Sequence, residues 1–133
     1  MPKFMLMVNH DSGVFDEPMD RWEPADTAAH FAYYAELTRE LTETGEMMRF
    51  TALADPQLAT TVRSDGGATP LVTEGPYPET TGFLAGFNIV DVVSEARALE
   101  IAARISAVPG PGGVPTQRPV EVRQVMTDHA GDL

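Results

Sequence analysis

Thr73-Glu74-Gly75-Pro76-Tyr77-Pro78-Glu79-Thr80, leading into Phe83-Leu84-Ala85-Gly86-Phe87-Asn88-Ile89-Val90, is the stretch whose reading decides the fold. Its second half is an apolar run of strand length, and such a run predicts a strand buried inside a sheet. The first half is a loop stiffened by its own residues. Gly75 can take positive φ, while Pro76 and Pro78 each hold φ at about −65°. A rigid corner with two carboxylates, Glu74 and Glu79, is thus expected at the mouth of a buried strand. Chemistry is expected there, although the residues do not name the reaction.

Working outward, Lys3-Phe4-Met5-Leu6-Met7-Val8 is a second run apolar on both sides, again suited to a sheet interior. Pro24 suits a first helical position and Asp26 the first turn. Tyr33, Leu37 and Leu41 then recur at four-residue spacing, with Phe31 and Tyr34 beside them, and Gly45 closes the helix. Met47–Ala54 reads as a strand broken by Asp55-Pro56. Thr60–Arg63 and Leu71–Thr73 flank Asp65-Gly66-Gly67, a hairpin signal, with Pro70 confining one arm to an edge. Asp91 or Ser94 caps a second helix carrying Ala98, Ile101, Ala102 and Ile105 on one face. Pro109-Gly110-Pro111-Gly112-Gly113 ends it. Val120, Val122 and Met126 alternate with Glu121 and Arg123 in a final strand, and the tail 128–133 is expected to fray.

This order is a split βαβ pattern with an extra hairpin, which predicts an α+β, ferredoxin-like βαββαβ sandwich in one domain, residues 1–127. Right-handed crossovers place both helices on one face of the sheet. The opposite face is then bare, yet two strands are apolar on both sides. A second copy of the chain is the economical cover, so a homodimer is expected.

Composition narrows the partners. A net charge of −11 disfavours nucleic acid, whose recognition is dominated by basic contacts, and anionic membrane surfaces for the same reason. No apolar run approaches the roughly 20 residues of a membrane span, and the opening segment is too short for a signal peptide. A cytoplasmic protein is expected. With no cysteine there is no disulfide, thiolate nucleophile or Cys-based metal site. No His-x-x-x-His pair occurs, so no protein-built zinc site is predicted, and no cofactor is expected.

Thr60-Thr61-Val62-Arg63, Val72–Thr80, Ala85-Gly86-Phe87, Ile89-Val90-Asp91 and Val120-Glu121-Val122-Arg123, taken in that order and spacing, resemble the YCII-related proteins of the DGPF type. The resemblance runs from about residue 3 to about residue 126. It implies a dimeric α+β barrel of two facing ferredoxin-like sheets, in a superfamily whose activities range from small-molecule monooxygenases to isomerases. Family activity is largely unassigned, and domains of this type also occur beside transcription sigma factors. Glu74 stands where the family usually has Asp, Tyr77 where it has Phe, and Ala85 where it has the first Gly of Gly-Gly-Phe. The His and Asp ascribed to shorter YCII relatives are not carried over, because the motifs place neither His10 nor His30 on that His.

Candidate site residues follow from charge and position. Glu74, partly desolvated by Tyr77 and Phe83, is a candidate general acid or base with Glu79 flanking the loop. It could equally accept hydrogen bonds from loop amides and only fix the turn. Arg63 could grip an anionic substrate, or pair with Glu74 or Glu121 for stability alone. Gly75, Pro76, Tyr77 and His30 complete the binding set, although His30 could face either a groove or the helix packing. Two readings stay open. One is a cofactor-free acid–base enzyme acting on a small molecule in a cleft between sheet and helices. The other is a non-catalytic dimeric module that binds a metabolite or serves transcription.

Overall fold

The computed structural model describes residues 1–9, 19–75 and 84–132. Eight elements follow in chain order: β1 (Lys3–Asn9), α1 (Pro24–Glu43), β2 (Met47–Ala52), β3 (Thr60–Arg63), β4 (Leu71–Glu74), β5 (Leu84–Asp91), α2 (Glu95–Ser106) and β6 (Val120–Gln124). The architecture is α+β, with a four-stranded sheet ordered β2-β5-β1-β6 and a separate two-stranded sheet of β3 and β4. Every strand pair is antiparallel.

The two apolar runs lie side by side at the centre of the larger sheet, in the register Phe4↔Val90, Leu6↔Asn88, Val8↔Gly86. Phe4, Leu6, Val8 and Val90 point to one face and are buried with Leu37 and Leu41 of α1 and Ala98, Ile101 and Ile105 of α2. Both helices therefore build the core on a single face. Truncating a fully buried member such as Leu41 or Ile101 to alanine would cost about 2–5 kcal/mol. Along β1 the alternate residues Lys3, Met5, Met7 and Asn9 are only half-buried, as are Phe87 and Ile89 across from them.

The helix ends follow from local chemistry. Pro24 occupies the first turn of α1. At its far end Gly45, at φ 82°, donates to the Thr42 carbonyl at 3.1 Å, and Glu46 donates to that of Leu41 at 2.9 Å. This left-handed termination satisfies two carbonyls the helix leaves open. Of the two cap candidates for α2, Ser94 serves: its Oγ accepts from the Arg97 N–H at 3.2 Å. The final strand is shorter than its alternation suggested. It ends at Gln124, and Met126 lies beyond it at 86% exposure, because the pairing with β1 has already stopped at Phe4↔Gln124. Past the strand, Asp128 accepts a hydrogen bond from Lys3 at 2.6 Å and Ala130–Asp132 makes one 3₁₀ turn.

The segment between α2 and β6 is irregular but tightly tied. Thr116 N–H donates to Val108 O, Gln117 N–H to Ser106 O, and Gly110 N–H to Val114 O, all within 2.9 Å. Ser106 Oγ donates to the Arg118 carbonyl at 2.8 Å. Gln117 is the one non-glycine described residue with positive φ, at 59°. Few side chains tolerate that conformation, so the surrounding bonds hold the backbone in it just before Arg118.

Candidate functional site

A cavity of about 210 Å³ opens between α1 and the helix-facing side of the sheet. It sits where β1 and β2 end and β5 begins, so Val8, Ala52 and Gly86 form its floor. Gly86 keeps this corner tight: a Cβ there would stand 2.6 Å from the Thr51 carbonyl oxygen. Phe31 and Tyr34 of α1 and Phe50 of β2 supply aromatic walls. His30, Asn88 and Arg118 supply the polar groups.

His30 is the most constrained of these. Its side chain is 3% exposed and lies edge-on to Trp22, Phe31 and Tyr34, with ring centroids 5.2 to 5.5 Å away. Nδ1 sits 2.9 Å from the carbonyl oxygen of Pro109. A carbonyl can only accept, so Nδ1 carries the proton and the neutral ring keeps its lone pair on Nε2. Burial pushes the His30 pKa below its ordinary value, and the positive charge of Arg118 adds to this. The Pro109 contact opposes both, so the net direction is down. His30 is thus a neutral base at neutral pH. Burial likewise raises the pKa of the Tyr34 phenol, which stays protonated and able to donate.

Two polar atoms at the cavity have no partner among the described residues. The Oδ1 of Asn88, a side chain 3% exposed, and the Nε of Arg118 are both buried without a hydrogen bond. Such atoms are uncommon in folded proteins, and each asks for a physical reason.

The residues singled out from sequence fall in three places. His30 lines this cavity. Arg63, Glu74 and Gly75 belong to the hairpin and do not line it. Arg63 stands opposite Leu71 and Glu74 opposite Thr60, three ladder steps or roughly 10 Å apart. Residues directly opposite share a face and successive ones alternate, so Arg63 and Glu74 project from opposite faces of the hairpin. Arg63 borders a shallow hollow with Ser64, Asp65 and Leu71, and has no ion pair among the described residues. Gly75, at φ 89°, donates to Ala59 O at 2.6 Å and accepts from Thr61 Oγ1 at 3.1 Å, which ties the start of the acidic loop to β3. Pro76, Tyr77 and Glu79, like His10, lie outside the described residues.

Sequence reasoning missed Asn88 and Arg118. Asn88 did leave a signal, as the one amide in an otherwise apolar strand. Arg118 left none, because its place depends on how the loop after α2 folds back. Among the described residues no three His, Asp or Glu side chains gather as metal ligands, and no helix is long and apolar enough to cross a membrane. The model of one protein family, described as the YCII-related domain, matches residues 3–123, a span that contains the whole lining of the cavity. No curated protein matches the chain.

Proposed function

Since the chain belongs to the YCII-related family, we propose that it is a small-molecule enzyme of acid–base type, working in the cavity between α1 and the sheet. The observation that carries this reading is the His30–Pro109 contact, which leaves a lone pair on Nε2 of a histidine lining a cavity with a cation that has no carboxylate partner among the described residues. A base held neutral by burial, beside Arg118 that can stabilise negative charge, suits proton removal from a carbon next to a carbonyl. Tyr34 is placed to return a proton or to hold an oxygen.

The proposal keeps His30 from the residues the sequence suggested. It assigns Glu74 and Arg63 to the hairpin's own chemistry, because the two do not converge. Membership of the DGPF-type branch is part of the same reading and rests on the Thr73–Thr80 loop. So does a ferredoxin-like arrangement paired with a second copy. The half-buried Met5, Met7, Phe87 and Ile89 on the helix-free face of the sheet support that pairing.

Solvent exchange tests the chemistry. Small 2-keto and 3-keto acids in D₂O, followed by proton NMR, are expected to lose their carbon-bound protons faster with the wild-type chain, and His30→Gln should abolish the gain. Binding of a keto acid without exchange would sink the enzyme reading and leave the metabolite-binding module.

A further inference from the structure

The polar atoms of the cavity specify a ligand class, on the premise that the cavity is a small-molecule site. Arg118 is the first of them. Arg39, Arg97 and Arg104 each hold a carboxylate within 3.0 Å, while Arg118 has none among the described residues. In a chain of net charge −11 this is no shortage of acid. Arg118 lines the cavity, and a planar carboxylate matches a guanidinium in two-pronged fashion.

Asn88 is the second. A hydroxyl both donates and accepts, so it serves the unpartnered amide whichever way the amide is turned. Size and shape come next. The volume of about 210 Å³ exceeds the roughly 150 Å³ of a cavity that holds benzene by only a few atoms' worth. Phe31, Tyr34 and Phe50 offer flat apolar contact for one ring. A nucleotide does not fit. With His30 neutral, Arg118 is the only positive charge on the lining among the described residues, so one negative charge is served and not two.

We propose that the cavity takes a small ring-bearing monocarboxylate with a hydroxyl group, its carboxylate on Arg118 and its hydroxyl on Asn88. The ties around Arg118, from Ser106 Oγ to its carbonyl and through the strained Gln117 before it, keep that cation in place before a ligand arrives.

Titration calorimetry with backbone NMR tests this, using 4-hydroxybenzoate, benzoate and the neutral 4-hydroxybenzamide as probes. The acid is expected to bind at least ~10-fold more tightly than its amide. Arg118→Met should erase that ratio while leaving the amide's affinity within about threefold, which also reports an intact cavity, and Arg118→Lys should restore part of it. Asn88→Leu should remove the advantage of 4-hydroxybenzoate over benzoate. Acid and amide binding alike, with shifts at His30 and Phe50, would overturn the ligand class and leave the cavity as a site. If neither probe, nor benzene, moves the signals of His30 or Phe50, the cavity reading fails and the ligand class falls with it.

Discussion

His30, Asn88 and Gly86 each carry a measurable consequence of where they sit. An unfolded histidine titrates at about 6.5, and burial holds His30 below that value, with Arg118 and Tyr34 its charged and titratable neighbours. Below about pH 6.5 the unfolded chain therefore binds a proton that the folded one refuses. The stability contributed by neutral His30 is present above that pH and is lost as pH falls through the folded pKa. His30→Gln is expected to flatten this limb of a melting-temperature profile, and an unchanged limb would mean that the ring is not desolvated. Asn88→Leu removes a buried amide lacking a partner, so urea unfolding should show a gain of about 1 kcal/mol. That gain would accompany loss of the hydroxyl-dependent binding, the mark of a residue kept for function. Gly86→Ala goes the other way. A methyl 2.6 Å from the Thr51 carbonyl must push β2 from β5, at about 1–3 kcal/mol in the same measurement.

Elements are held by their ends and by a few charged ties. Ser94 caps α2 with a real hydrogen bond, whereas Glu23 before α1 makes none with its side chain. Ser94→Ala should cost about 1 kcal/mol in urea unfolding and Glu23→Ala almost nothing. Equal losses would show that the cap bond is not what starts α2. Arg104 joins α2 to Glu40 of α1 at 2.5 Å, and Arg97 grips Glu46 through Nε and Nη2 at 2.8 and 3.0 Å. These hydrogen bonds hold both carboxyls below their usual pKa. Their contribution is present above the ordinary carboxylate range and fades as pH falls through the lowered values. That loss begins at more acid pH than the His30 limb, because an unfolded glutamate titrates at about 4.3 and an unfolded histidine at about 6.5.

The molecule as a whole presents one unfinished surface. Met5 faces Ile89 and Met7 faces Phe87 on the side of the sheet that carries no helix among the described residues. The separate hairpin leaves Val62, Leu71 and Val72 more than half exposed. Under the proposed pairing, Ile89→Glu should convert a dimer to a folded monomer, read by light scattering with an unchanged circular dichroism spectrum. A wild-type chain that scatters as a monomer at micromolar concentration would remove the basis for that pairing.

Much of the architecture was legible because it rests on periodicity. The runs around Phe4 and Phe87, the four-residue spacing of Leu37 and Leu41, the glycine at 45 and the Asp65-Gly66-Gly67 turn each constrain their own backbone within a few residues. The candidate site was legible only in part. His30 could be named, but Glu74 and Arg63 looked convergent because a sequence gives residue order without hairpin parity. Sequence alone determined which segments become strands and helices, since those choices depend on local sterics and on which face is apolar. Tertiary structure alone decided that Arg118, Asn88 and His30 meet around one cavity, with Pro109 holding His30. Residues as far apart as 30 and 118 are brought together by the packing of α1 and the fold-back of the loop after α2, and no local pattern encodes either.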